Sequence, residues 1–189
     1  MTRFASAAAS LAALLLLASP AAAEDAAARP KVGDTATAFE LQPLGGTEKV
    51  KLADLTKQGP VVLVVLRGYP GYQCPICSRQ VGQLLAKAAG FKKKNAQVVM
   101  VYPGPSQNLQ ARAKEFVRGK QIPEHFRILI DPDYGFTNAY NLRWSAPRET
   151  AYPATFVIGK DGKIVYANIS KGHAGRANAA EVLEAVPGE

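Results

Sequence analysis

Uninterrupted apolar runs recur along the chain. Residues 61–66 and 98–101 are rich in valine, and residues 128–130 form a shorter run of the same kind. Continuous β-branched runs are typical of strands that are buried on both faces of a sheet. Near the carboxyl end, residues 155–158 and 164–167 are joined across an Asp-Gly pair. That pair favours a tight turn and predicts a β-hairpin.

The segments between these runs carry helical periodicity. Apolar residues recur at helical spacing after the first strand and predict a helix over residues 74–89, with Gly90 as its stop. These apolar residues are Val81, Leu84, Leu85 and Ala88. Ser106 can cap a second helix that runs to Arg118. A short helix over residues 134–140 and a final helix over residues 179–186 complete the set.

The order of these elements defines the fold class. Residues 39–41 and 50–52 flank a glycine pair and predict a small hairpin at the start. The order that follows is β-α-β-α-β-α-β-β-α. Crossover helices imply parallel central strands, and the last hairpin adds an antiparallel edge. We therefore predict a mixed-sheet α/β domain.

The amino terminus has the pattern of a secretory signal peptide. Arg3 supplies the positive charge, residues 11–18 form a short apolar core, and Ala21-Ala22-Ala23 precedes Glu24. A retained membrane anchor would need roughly 20 apolar residues. We expect residues 1–23 to be a cleaved signal peptide, residues 24–31 a flexible lead-in and residues 32–189 the domain. The protein is then exported, to the periplasm in a bacterium and otherwise to the exterior.

Charge narrows the class of partner. The 189-residue chain carries a formal net charge of +8, which falls to +7 on cleavage because only Arg3 is lost. The basic residues are spread along the sequence, and we expect the densest cluster, Lys92-Lys93-Lys94, to be a solvated turn between a helix and a strand. This distribution and the predicted export argue against nucleic-acid binding. No membrane-spanning segment remains after cleavage, and the oligomeric state is left open.

The only two cysteines form the motif Cys74-Pro75-Ile76-Cys77, which follows the first apolar run after a short bend. A structural disulfide at this spacing would close a loop too short to stabilise the fold. Three residues apart on a helix, the two sulfurs share a face and can meet. Free N–H groups at a helix start stabilise a thiolate. The motif therefore predicts redox chemistry at Cys74 and Cys77.

With these elements in order, residues 32–186 resemble the peroxiredoxin group of the thioredoxin fold, which includes alkyl hydroperoxide reductase and thiol-specific antioxidant. Three motifs carry the resemblance, namely Pro70-x-x-x-Cys74-x-x-Cys77, Ile130-Asp131-Pro132-Asp133 and the Tyr152-Pro153-Ala154-Thr155-Phe156 strand start. The resemblance implies an antioxidant, peroxide-reducing enzyme without a bound cofactor. It also implies an external thiol reductant.

Two positions depart from the peroxiredoxin pattern. Cys77 takes the peroxide-attacking position and Gln80 follows where an acid or amide is usual, but Cys74 replaces the usual Thr or Ser. Pro153 stands where many peroxiredoxins have an arginine beside the thiolate, and it resembles the cis proline of thioredoxin-like oxidoreductases. With Thr155, it would support the substrate.

Three other arginines could supply the charge that Pro153 lacks. Arg67, Arg79 and Arg148 are the candidates, although surface roles are the simpler interpretation of each. The sequence alone does not place any of them beside the cysteines.

The dithiol supports two mechanisms. In the thioredoxin-like one, Cys74 is the exposed nucleophile that attacks a protein disulfide, and Cys77 resolves the mixed disulfide. In the peroxiredoxin-like one, Cys77 attacks a peroxide and the resulting sulfenic acid condenses with Cys74. Both end in a Cys74–Cys77 disulfide that an external thiol must reduce.

A copper-binding chaperone on the same fold is the alternative from a different class. Such proteins have a histidine just before the late strand, where this chain has Ala151. His125 and His173 lie in predicted loops and are more simply explained as surface residues.

Aromatic residues near the motif could shape a substrate rim. Tyr69 and Tyr72 border the cysteines in sequence and are candidates for substrate contact. Core packing is the simpler expectation for Phe156 and Trp144.

Overall fold

A computed structural model of the chain describes Met1 and residues 28–188. Its centre is a seven-stranded mixed sheet with the strand order β2-β1-β5-β4-β3-β6-β7. The strands are β1 (Glu40–Pro43), β2 (Val50–Lys51), β3 (Val61–Val65), β4 (Gln97–Gly104), β5 (Phe126–Pro132), β6 (Ala154–Ile158) and β7 (Ile164–Ile169). This architecture confirms the predicted α/β class.

The valine-rich runs form the middle of the sheet. Strands β3, β4 and β5 are parallel neighbours, and every residue of β3 and β4 is buried. Burial on both faces explains why these runs lack polar alternation. The β6–β7 hairpin adds antiparallel strands beside β3, and the β1–β2 hairpin pairs antiparallel with the opposite edge. Both predicted hairpins are confirmed.

Helices cover both faces of the sheet. They are α1 (Leu52–Gln58), α2 (Pro75–Ala86), α3 (Ala88–Lys93), α4 (Leu109–Val117), α5 (Gly135–Ala139) and α6 (Ala179–Ala185). Apolar residues of α2, α3, α4 and α6 share one core cluster with the same faces of the strands. Those of α1 and α5 share the other cluster. The cysteines belong to the first cluster, so α2 delivers them into a packed core.

Three local predictions are wrong. Gly90 does not end a helix, because it lies inside α3, where an added Cβ would lie 2.6 Å from the Cδ2 of Leu183 in α6. The strand β4 continues through Gly104, and α4 begins only after Asn108, so Ser106 does not cap it. The Ser106 N–H instead donates to Asp133. Lys92 and Lys93 lie in α3 rather than in a turn.

Apart from Met1, the predicted signal peptide and residues 24–27 of the predicted lead-in fall outside the described residues. Within residues 28–188, no helix combines the length and apolar character needed to cross a membrane.

Gly68 allows the segment that leads to the cysteines to approach the backbone of Pro103 closely. Its φ is +70°, and a Cβ placed there would lie 1.8 Å from the backbone oxygen of Pro103. We expect Gly68→Ala to destabilise the fold by at least about 2 kcal/mol, because left-handed strain adds to a clash with backbone that cannot move freely. Chemical denaturation of the reduced protein measures this loss.

Gly82→Ala is the matched control. Gly82 lies inside α2 with no atom within 4 Å of an added Cβ. Here alanine should stabilise the helix by about 0.5–1 kcal/mol. Equal unfolding free energies for the two variants would contradict the role assigned to Gly68.

Candidate active site

The two cysteines lie at the start of α2, just beyond the carboxyl end of β3. Cys74 is the N-cap of the helix, where its Sγ accepts the Cys77 backbone N–H at 3.2 Å, and Pro75 occupies the first helical position. Both cysteines are free thiols, 4% and 1% exposed respectively. The expectation that Cys74 is exposed is therefore wrong, because the cap position turns its sulfur inward.

The two thiols titrate as a pair. A hydrogen bond from the Cys77 thiol lowers the pKa of Cys74 to about 5, and the Cys77 N–H, Arg176 and Arg67 reinforce this effect against the opposing effect of burial. Hydrogen bonding to Cys74 and burial raise the pKa of Cys77 above its ordinary range, although Arg176 opposes them. The first proton therefore leaves readily, and the second is retained. The site therefore favours a single negative charge shared with one retained proton, and the hydrogen bonds from Cys77 stabilise that charge on the Cys74 sulfur.

Arg176 supplies the positive charge at this pair. Its Nη2 lies 3.4 Å from the Cys77 Sγ and 3.8 Å from the Cys74 Sγ, so one guanidinium contacts both sulfurs. Arg176 is not among the residues predicted from the sequence, because it lies 99 residues beyond Cys77 in the segment between β7 and α6. Only its position next to the final helix could have drawn attention to it.

Gln80 and Thr155 hold that guanidinium in place. The Gln80 Oε1 accepts from Arg176 Nη1 at 2.9 Å, and the Gln80 Nε2 contacts the Thr155 Oγ1 at 3.4 Å. Both Gln80 and Thr155 are buried. The structure therefore brings two of the predicted positions together with the dithiol.

The three arginines considered from the sequence have other roles. Arg67 is buried and pairs with Glu149, although its charge also contributes to the lowered pKa of Cys74. Arg79 is exposed on α2. The side chain of Arg148 is exposed too, and its carbonyl accepts from Arg67. Arg67 therefore acts electrostatically on the cysteine pair.

Pro153 does not provide the expected cis peptide. No peptide bond in the described part of the chain is cis. The proline is buried at the start of β6, and its carbonyl accepts the Ser170 N–H. Pairing with β7 accounts for this carbonyl, so the predicted thioredoxin-like platform is wrong in this respect.

The segment before the helix contains the remaining predicted residues. Pro70 is half-buried in the bend. Tyr72 is 47% exposed, but its hydroxyl accepts from Arg67 at 2.6 Å. The ring of Tyr69 lies 4.8 Å from the Arg112 guanidinium. Tyr72 is therefore tied to the buried arginine while its ring stays accessible.

The aromatic rim is only partly formed. Phe156 is fully buried in the core, as expected. Trp144 is half-buried and stacks on Tyr152 at 4.7 Å, with His173 edge-on at 5.3 Å. It therefore lies at the surface layer rather than in the core.

The histidines form no metal site with the cysteines. His125 contacts the Ala88 carbonyl, and His173 contacts Glu149. Among residues 28–188, no group of three or more His, Cys, Asp or Glu side chains is placed to hold a metal ion. Nothing in that part of the chain favours the copper alternative.

Removal of the shared charge should weaken the acidity of the pair. The alkylation rate of the wild-type protein should follow thiolate formation with a midpoint near pH 5, as the lowered pKa of Cys74 requires. In Arg176→Met we expect that pKa to rise by about one, because the nearest positive charge is gone. The pH dependence of iodoacetamide alkylation measures it.

Arg79→Met is the matched control, since it makes the same change on the exposed face of α2. Its alkylation profile should overlay that of the wild type, because charges in solvent are screened. A profile shifted as far as that of Arg176→Met would contradict the role of Arg176.

Sequence and structure comparisons agree with this geometry. Residues 32–167 match the AhpC/TSA family. Over 152 residues the chain is 33% identical to "Putative peroxiredoxin bcp" of Helicobacter pylori strain J99, covering 76% of this chain and 93% of that protein.

Solved structures extend the comparison. Peroxidoxin BcpB from Mycobacterium tuberculosis has a TM-score of 0.60 at 25% identity, with 82% of this chain and 96% of that one covered. AhpC of Mycobacterium bovis shares the fold at a TM-score of 0.66 and 16% identity, over 83% and 90% of the two chains. The chain therefore belongs to the AhpC/TSA family of peroxiredoxins and is a thiol-dependent oxidoreductase.

Proposed function

We propose that this protein reduces peroxides through a Cys74–Cys77 dithiol–disulfide cycle. The observation that carries the proposal is the single guanidinium that contacts both buried sulfurs. It stabilises negative charge on the dithiol before and during attack. Thiols that are 4% and 1% exposed favour a small substrate such as a peroxide over a folded protein.

Cys74 is the attacking residue in this proposal. Its thiolate attacks one peroxide oxygen, the O–O bond breaks, and the leaving oxygen takes up a proton to become water or an alcohol. The pKa of about 5 keeps Cys74 ionised at neutral pH, and the thiolate is the nucleophile. The attacking position therefore lies one helical turn before the one that the peroxiredoxin pattern gives to Cys77.

Cys77 then resolves the sulfenic acid. Its sulfur bonds to the Cys74 sulfur, and its proton leaves with the sulfenic hydroxyl as water. The resulting disulfide is returned to the dithiol by an external thiol reductant, which supplies two electrons and two protons and is itself oxidised to a disulfide. No bound cofactor is needed for this cycle.

Exchange with protein disulfides is the second candidate. The low pKa of Cys74 at a helix start favours it, because that is where an attacking thiolate is stabilised. Two observations argue against exchange with protein disulfides. Both sulfurs are buried, and Pro153 is trans with its carbonyl engaged by Ser170.

Single-cysteine variants test the proposed roles. Cys77→Ser keeps a donor beside Cys74, so it should consume one equivalent of hydrogen peroxide rapidly and stop as a sulfenic acid. Cys74→Ala should react about as slowly as a free thiol, because burial and the missing partner leave Cys77 without an activated thiolate. Stopped-flow mixing with hydrogen peroxide, followed by dimedone trapping and mass spectrometry, measures both.

The reversed pattern, with fast Cys74→Ala and slow Cys77→Ser, would assign the attack to Cys77. A wild-type rate no better than that of free cysteine would remove the peroxidase proposal and favour disulfide exchange.

Export is part of the same proposal. It rests on the sequence pattern of residues 1–23, which apart from Met1 lie outside the described residues. Amino-terminal sequencing of protein recovered from cells should find Glu24 as the first residue. An intact amino terminus on the cell-associated protein would contradict export by cleavage.

A further inference from the structure

Glu149 is a carboxylate that bridges two segments of the chain, both of which reach the dithiol. It is only 11% exposed, and its two oxygens bond in different directions. Oε2 accepts from Arg67 Nε at 2.6 Å, and Oε1 lies 2.9 Å from the Nε2 of His173. Partial burial works against ionisation, but these hydrogen bonds and charges prevail and lower the pKa of Glu149. The bridge is therefore anionic at neutral pH.

One arm of the bridge holds the segment that leads into the cysteines. Arg67 is fully buried and directs its other guanidinium nitrogens to the Tyr72 hydroxyl at 2.6 Å and the Arg148 carbonyl at 2.7 Å. The Thr150 hydroxyl closes the arrangement by donating to the Arg67 carbonyl. The charge of Arg67 helps to lower the pKa of Cys74, and a backbone hydrogen bond from Arg67 opposes the rise in the pKa of Cys77.

The other arm holds the segment that carries Arg176. His173 precedes Arg176 by three residues, and its carbonyl accepts from Arg176 Nε at 3.3 Å. The ring of His173 is fixed by Glu149 and by its edge-on contact with Trp144. Contacts at the His173 ring therefore restrain the backbone carbonyl that accepts from the Arg176 guanidinium.

We infer that Glu149 is a positioning residue for the dithiol, acting through Arg67 on one side and through His173 and Arg176 on the other. It touches neither sulfur. The inference rests on the proposed role of this dithiol as the reactive centre. Its readout is thiol acidity, which needs no turnover, so it can fail while the proposed peroxidase activity stands.

Glu149 could act on the dithiol through its charge or through the positions that it gives to its partners, and the two possibilities predict different results. An anion near the site would, by charge alone, disfavour a thiolate. Glu149→Asp keeps the charge but is one methylene too short to bridge both partners. If Glu149 acts by position, the pKa of the Cys74 thiol rises in Glu149→Asp. If it acts only by charge, that pKa stays where it is.

His173 variants separate the two arms. In His173→Ala the Arg67–Glu149 pair is intact, but the Arg176 segment loses its anchor. We expect the alkylation rate near pH 5 to fall roughly two- to fivefold, as a rise of half to one in the pKa of Cys74 requires. His173→Gln can still donate to Glu149 without carrying charge, so it should restore the wild-type rate. Iodoacetamide alkylation and the ultraviolet absorbance of the thiolate, each followed against pH, give these values.

His125→Ala is the control for histidine loss, since His125 contacts Ala88 away from the dithiol. Its alkylation profile should match that of the wild type. Unfolding midpoints of all variants show that each is folded under the assay conditions. Wild-type profiles for His173→Ala and Glu149→Asp would overturn the inference, as would a His173→Gln variant as impaired as His173→Ala.

Discussion

A thiolate buried among apolar side chains must lie against a positive charge, and in this protein one guanidinium meets that need for two sulfurs. Without Arg176, the hydrogen bonds from Cys77 and the charge of Arg67 would have to offset the desolvation cost of a charge in the core on their own. The rest of the site follows from this contact. Gln80 orients the guanidinium, and Thr155 supports Gln80 from the neighbouring strand. The start of helix α2 must therefore lie next to β6, which carries Thr155, and next to the segment before α6, which carries Arg176.

The same burial selects among reactions. A core that closes over both sulfurs excludes bulk water and keeps electrostatic interactions strong. It also makes approach by a folded protein difficult, whereas a small oxidant needs little space. Packing that serves stability, through Val81 and Leu84 on the same helix face as Cys77, thus also restricts what the thiols can meet.

Much of the fold could be predicted because its signals are local. Continuous apolar runs indicate buried strands, and the Asp-Gly dipeptide indicates a tight turn. The sheet and its hairpins could therefore be predicted from the sequence. Local signals failed where tertiary contacts decide. Gly90 resembles a helix stop, but its lack of a side chain admits Leu183 of α6. Ser106 resembles a cap, but strand pairing extends β4 to Gly104 and α4 begins only after Asn108.

The residues of the site also divide into those that local sequence signals predict and those that only the folded chain brings together. Cys74, Cys77 and Gln80 share one helix, so their spacing predicted their proximity. Arg176 and Glu149 reach the site from distant loops, where no periodicity marks them, and only the folded chain brings them there. The identity of the N-cap has one more consequence. In the thiolate form, the Cys74 sulfur is a charged acceptor for the first turn of α2. In the disulfide of the cycle that we propose, that sulfur is neutral and a poor acceptor, so the first turn of α2 is held less firmly. A reductant would then meet a looser helix start than a peroxide does.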